Sequence, residues 1–239
     1  FDPIRPSIKR LDDILKFLEN PALFINAGNR PPKALLLTGG SGNGKTFVAS
    51  ALHGSVNKQS ILLGNNKFAF FSLTPDNFTG WGGAAVRELR SLARAYAPCI
   101  IFIDEFHNCN LQSSGNSALL SEFLTFLDDL DKENDPNKIV IMLAASNKPE
   151  LLDQALYRAG RLGERIHLDN PTLEERALML ETFCKKSGVD PERMNLTHIA
   201  RITERASRSA MNKICNDAAF SAKAQHRGIT FDDFYEAVN

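Results

Sequence analysis

Leu35-Leu36-Leu37-Thr38-Gly39-Gly40-Ser41-Gly42-Asn43-Gly44-Lys45-Thr46 is the stretch on which the reading of this chain turns. Its three leucines look like the end of a buried strand. From Phe47 onward, Val48, Ala49, Ala51 and Leu52 recur at helical spacing. Between strand and helix, residues 39–46 fit the pattern G-x-x-x-x-G-K-[ST] in full. A polyphosphate needs several backbone N–H groups aimed at it, and only residues without a Cβ let the chain wrap that closely. Gly39, Gly40, Gly42 and Gly44, with Ser41 and Asn43 between them, provide such a cradle, and the positive end of the following helix points at the anion. Lys45 can reach the β- and γ-phosphates, and the Thr46 hydroxyl suits Mg²⁺. The competing reading is a glycine-rich turn with an incidental lysine. The complete pattern in its strand–loop–helix setting favours a nucleoside triphosphate site.

About sixty residues later, the apolar run Cys99-Ile100-Ile101-Phe102-Ile103 ends at Asp104-Glu105. An acidic pair at the carboxyl end of a buried strand is where a nucleotide-hydrolysing α/β fold needs it. Asp104 can hold Mg²⁺, and Glu105 can polarise the attacking water as a general base. The segment continues as D-E-F-H, superficially a helicase box. His107 reads as a loop residue or a neighbour of the site without a catalytic duty. Asn147 ends the next buried strand, Ile139–Ala145, where its amide would face the γ-phosphate and orient water. Arg158 and Arg161, in LDQALYRAGR, lie beyond that strand and are read either as serving the site of a neighbouring subunit, where an arginine neutralises charge developing on the γ-phosphate, or as solvated or salt-bridged arginines of this chain.

The remaining elements follow the same alternation. An amphipathic helical stretch over 8–24 is expected to close at Pro21. A second strand is expected over Phe68–Leu73, then a helix over Ala84–Tyr96 with Val86, Leu89, Ala93 and Tyr96 facing inward. Leu119, Leu120, Phe123, Leu124, Leu127 and Leu130 make a helical stripe, and Ile166-His167-Leu168 reads as an apolar pair of turns. Strands alternating with helices imply a mainly parallel sheet covered on both faces. After Pro171 every candidate element is helical: 173–183, 195–204, 207–224 and 232–238. The expected architecture is thus an α/β phosphate-loop core over residues 1–171 and a small all-α lid over 172–239.

The chain has 239 residues, and its 28 basic and 28 acidic residues cancel, so no basic excess marks a nucleic-acid binder. No apolar run approaches the ~20 residues of a membrane span. Opening at Phe1, the sequence reads as a piece of something longer, and a membrane anchor could lie outside it. Four cysteines show no metal-ligand or redox spacing, Cys99 and Cys215 read as small core residues, and a reducing compartment such as cytoplasm or an organelle matrix or stroma is expected. Five histidines include no H-E-x-x-H, so this stretch carries no zinc-protease centre.

GGSGNGKT, CIIFIDEF, AASN and LDQALYRAGR, in this order, resemble the AAA+ ATPases of the classical branch. FLENPALFINAGNRPPKALLLTGGSGNGKT, FTGWGGAAVRELRSLARAYAPCIIFIDE and ICNDAAFSAKA are similar to the ATPase module of FtsH-type metalloproteases. The resemblance implies ATP and Mg²⁺ held between subunits of a homo- or hetero-hexamer. It implies Gly39–Thr46 as Walker A, Asp104 and Glu105 as Walker B, Asn147 as sensor 1, and Arg158 and Arg161 as trans-acting fingers. It further implies that Phe78-Thr79-Gly80 is a pore loop gripping unfolded polypeptide. Arg208 stands where the family often has glycine, as a sensor-2-like arginine or a surface residue. The implied function is ATP hydrolysis coupled to remodelling, unfolding or threading of protein substrates. A nucleic-acid-dependent motor and a slowly hydrolysing assembly ATPase are the alternatives.

Overall fold

The computed structural model describes residues 6–29, 31–63, 67–112 and 114–238. The chain divides into two compact units, residues 1–39 with 45–168, and residues 40–44 with 169–239.

The larger unit is built on five strands: β1 (Ala34–Thr38), β2 (Ala69–Leu73), β3 (Cys99–Ile103), β4 (Val140–Ser146) and β5 (Glu164–His167). All pair in parallel, in the order β2-β3-β4-β1-β5. Every residue of β1, β3 and β4 is buried, as their unbroken apolar runs demand of strands covered on both faces. Helices α1 (Pro6–Glu19) and α3 (Lys45–Leu63) cover one face, where Phe17, Leu18, Ala49, Leu52 and Val56 pack on Leu35, Leu37, Ile100, Phe102 and Leu143. Helices α4 (Gly83–Ala95) and α5 (Ser117–Lys132) cover the other, packing Val86, Leu89, Phe123 and Leu127 on Leu36, Ile101, Ile103, Met142 and Ala144. Even- and odd-numbered strand residues thus go to opposite faces, and each large side chain contributes about 1.5–3 kcal/mol by leaving water.

Three local expectations change. Pro21 does not close a helix but opens one: the chain breaks at Asn20, whose side chain accepts from the Leu23 N–H, and α2 (Pro21–Asn26) follows with proline at its tolerant first position. Tyr96 is not an inward residue, since α4 ends at Ala95 and the ring is 59% exposed. Residues 164–167 are a strand, β5, rather than turns. It pairs with β1, and the Leu168 N–H donates to the Thr38 carbonyl.

The smaller unit contains α6 (Leu173–Lys186), α7 (Leu196–Ile202), α8 (Arg208–Ala224) and α9 (Phe231–Val238) around Leu180, Ile199, Met211, Ala218 and Phe234. A Thr172–Glu175 capping box starts α6. Asp233 has a buried side chain that accepts from Arg227 at 2.6 and 2.7 Å and from the Thr230 N–H and hydroxyl, each at 2.8 Å. Arg227 and these donors hold its carboxyl well below the usual carboxylate range. A depressed folded-state value contributes stability that is complete above the unfolded pKa, about 4, and is lost as pH falls below it. Asp233→Ala should therefore destabilise this unit at neutral pH by about 2 kcal/mol, below the 3–5 typical of fully buried pairs because Arg227 is 37% exposed. In pH-resolved thermal melts the gap between variant and parent should close as pH falls from 5 towards 2; a gap independent of pH would sink this account.

Candidate nucleotide site

The site lies at the carboxyl ends of β1, β3 and β4, where the chain leaving β1 and the chain leaving β4 turn to opposite sides. Gly39 is the first residue past β1. Its φ is +138°, and a Cβ there would stand 2.2 Å from the Leu168 carbonyl oxygen, so no other residue fits. Lys45 opens α3 and donates from Nζ to the Gly39 carbonyl at 2.9 Å. Burial lowers its pKa while Asp104 and Glu105 pull it back up. A cation resting on a backbone carbonyl beside two carboxylates can exchange that carbonyl for a phosphate.

Thr46 donates its hydroxyl to Asp104 Oδ2 at 2.9 Å, and the Glu105 N–H donates to Asp104 Oδ1 at 2.9 Å. Both carboxylate oxygens are thereby aimed, and hydroxyl and carboxylate sit together as the hard oxygen donors that Mg²⁺ prefers. This donor set fits Mg²⁺. Glu105 follows on left-handed backbone, φ +47°. Asn147 is exposed one residue past β4. Since Ser146 pairs with Thr38 in the register, Asn147 stands level with Gly39.

Two residues without a sequence-level role tie this end of the sheet together. His107 is buried, with Nδ1 3.1 Å from the Ser146 hydroxyl oxygen, which also accepts from the Lys148 N–H. Burial lowers its pKa, with Glu105 pulling the other way. His107 thus braces β3 to β4, a neighbour of the site as the sequence suggests. Asn108 donates from Nδ2 to Glu105 Oε2 at 2.9 Å. Only its closeness in sequence to Glu105 could have drawn attention to it.

The two arginines separate. Arg161 lies 14% exposed and grips Asp128 of α5 with two parallel bonds of 2.7 and 2.8 Å, while Nη1 donates to the Ala155 carbonyl. Arg161 takes the form of the salt-bridged alternative, with each of its guanidinium nitrogens engaged within its own chain. Arg158 is exposed.

The segment after β2 departs from expectation. Phe78, expected to face substrate, is 4% exposed and packs its ring edgewise on Phe123 at 5.1 Å. A short turn over Pro75–Phe78 places it there, started by Thr74, whose N–H donates to Asn77 Oδ1. Thr79 and Gly80 are exposed beyond it. The aromatic left in solvent is Trp81, 74% exposed, between Gly80 and Gly82, both at positive φ with open space around them.

In the smaller unit, Arg208 at the start of α8 donates to the Asp169 and Asn43 carbonyls at 2.7 and 3.3 Å and meets Glu175 at 3.2 Å. The Ser209 N–H donates to the Gly42 carbonyl at 3.0 Å, and a Cβ on Gly42 would come within 2.0 Å of the Ser209 hydroxyl. Arg208 is thus a fixed cation on a carbonyl of the phosphate-loop sequence.

A parallel sheet with this strand order, a phosphate loop after β1 and an acidic pair after the strand next but one define a phosphate-loop nucleoside triphosphatase. Residues 35–170 match the family described as "ATPase family associated with various cellular activities (AAA)". The chain belongs to this family, and its chemistry is ATP hydrolysis. It is 33% identical to an ATP-dependent zinc metalloprotease FtsH of Thermotoga maritima over 98% of this chain and 38% of the relative, and 32% identical to that of Parabacteroides distasonis over 97% and 34%. The chain thus spans little more than a third of the length of these relatives. The AAA domain of FIGL-1, solved in complex with ADP, superposes with a TM-score of 0.75 at 27% identity, covering 98% of this chain and 80% of that one.

Proposed function

We propose that this module hydrolyses ATP within a ring of subunits, six by family habit, and couples turnover to moving polypeptide. Lys45 would bind the β- and γ-phosphates, with Gly39–Gly44 wrapping them. Thr46 and Asp104 would hold Mg²⁺, which when bound neutralises charge on the phosphate oxygens. Glu105 takes the proton of the attacking water as that water's oxygen bonds to the γ-phosphorus, and Asn147 orients the water. ADP leaves with the electron pair of the broken P–O bond, giving ADP and inorganic phosphate. The observation carrying the reading is the Lys45–Thr46–Asp104–Glu105 group at one sheet end, with the exposed Arg158 outside it. Four free, buried cysteines, with Cys99, Cys109 and Cys215 pushed up to about 12 by burial, support residence in a reducing compartment.

Per-subunit ATP turnover measured against protein concentration, alongside sizing, tests the ring. Turnover should climb steeply as assembly proceeds; a monomer with full, concentration-independent activity would remove the neighbour's role. Polypeptide handling is tested at two aromatics. Trp81→Ala should leave melting temperature and basal turnover near the parent's and abolish stimulation by unfolded polypeptide. Phe78→Ala should instead lower stability by about 3–5 kcal/mol through the cavity it opens. If Trp81→Ala processed substrate normally, the solvent-facing aromatic would not be the grip.

A further inference from the structure

We infer that His107 is a positioning residue for Asn147, acting through the Ser146 hydroxyl that fixes the backbone on both sides of that amide. The inference rests on the reading of Asn147 as the group that orients the attacking water. Asn147 is exposed just past β4, and among the described residues its side-chain amide has no hydrogen-bond partner. Its position is therefore set by the chain that carries it. On the amino side, Ser146 is fully buried and held in register with Thr38 of β1. On the carboxyl side, the Lys148 N–H turns back and donates to the Ser146 hydroxyl oxygen at 3.0 Å. A hydroxyl bonded to the backbone two residues on closes a tight turn, and Asn147 is the residue at its middle.

The Ser146 oxygen holds Lys148 best when its own proton also has an acceptor. Among the described residues it meets two partners, the Lys148 N–H and His107 Nδ1 at 3.1 Å. The first is a donor, so the hydroxyl proton goes to Nδ1 and the imidazole carries its hydrogen on Nε2. Burial lowers the His107 pKa, which keeps the ring neutral and Nδ1 able to accept. Deprived of that acceptor, the buried hydroxyl must reorient towards another group, and Lys148 loses its anchor. The histidine itself is delivered by the turn Phe106–Cys109, which begins directly after Glu105 and whose Phe106 is fully buried with its ring edgewise on Phe123 at 5.1 Å. The base at the end of β3 and the amide at the end of β4 are thus set relative to each other by one imidazole–hydroxyl bond. Both act on the same water, so an error in their spacing falls on the chemical step and spares the binding of ATP.

The test measures kcat and KM for ATP, with melting temperature, in the assembled full-length protein and in His107→Leu, His107→Asn, Asn147→Ala and the double variant His107→Leu with Asn147→Ala. Leucine fills the ring's space without an acceptor, whereas asparagine can place its Oδ1 where Nδ1 lies. His107→Leu should lower kcat about 10–100-fold at nearly unchanged KM, the scale attached to a misplacement of about 1 Å near reacting atoms. His107→Asn should recover most of that loss. Adding His107→Leu to Asn147→Ala should lower kcat no further, because the residue it positions is already gone. A residue that merely supported the fold would lower the melting temperature and leave kcat of the folded assembly alone, or would lower kcat by the same factor in both backgrounds. Either result would overturn the inference, as would His107→Asn no more active than His107→Leu. If His107→Leu does not assemble, Ser146→Ala removes the shared hydroxyl alone and should show the same fall in kcat; parental kcat there would overturn the inference too. Parental kcat in Asn147→Ala marks a different failure, that of Asn147 as the water-orienting group, and the role of His107 falls with it.

Discussion

Glu105→Gln should bind Mg-ATP with near-parental affinity and hydrolyse it about 10²–10⁴-fold more slowly, the range a positioned general base contributes. The substitution removes one ionisable oxygen and almost no volume. Affinity should survive because the groups that would hold the triphosphate are elsewhere: Lys45, the Gly39–Gly44 backbone, and the Thr46–Asp104 pair. Asp104 cannot take over as base, since its two oxygens already accept from Thr46 and from the Glu105 N–H. Calorimetric titration with Mg-ATP paired with phosphate-release kinetics reads both quantities. Turnover within tenfold of the parent would mean that another group accepts the proton. Lost binding would mean that Glu105 supports the pocket and has no part in the chemical step.

Arg158→Ala should cost turnover about 10³-fold or more at an unchanged melting temperature, the magnitude attached to an arginine that meets the γ-phosphate in the transition state. The exposed position of Arg158 places it outside its own chain's folding interactions, so truncation leaves the fold intact. Complementation then decides between the two sides of a subunit junction. A ring mixed from Arg158→Ala and Glu105→Gln subunits contains junctions with an intact base on one side and an intact arginine on the other, so two inactive preparations should regain activity on mixing. Mixtures as inactive as their components would show that Arg158 acts within its own subunit or not at all. Arg161→Ala should behave differently. It strips Asp128 of its bidentate partner and the Ala155 carbonyl of a donor, so its first effect is on stability. Asp128 is 42% exposed, which limits the loss to about 1–2 kcal/mol, or a few degrees of melting temperature.

What could be read without the structure was what is local in the chain. The phosphate loop is eight consecutive residues whose chemistry is set by backbone and one lysine, and β1, β3 and β4 announce themselves because burial on both faces leaves polar residues only at their ends, Thr38 and Ser146. Asp104 and Glu105 needed only the end of such a strand. The misread parts depend on partners far along the chain. β5 has one buried residue, Ile166, among three charged or polar ones, and exists because β1 offers it a ladder. Phe78 faces inward because Phe123 waits there, 45 positions later, and Arg161 is occupied because Asp128 lies within reach. Asn108 carries no motif at all; its meaning is the 2.9 Å to Glu105. Pro21 was visible but ambiguous, since proline ends one helix and begins another with equal ease.

The outermost strand β5 has one more implication. Its rim carries charge in the two positions before Ile166: Glu164 is paired with Arg10 at 2.8 Å, and Arg165 lies 3.8 Å over the ring of Tyr157. Charge on a sheet margin blocks another chain from adding its own backbone ladder there. Any contact made at that margin therefore rests on side chains, which can be exchanged one at a time, and not on a continuous hydrogen-bonded sheet.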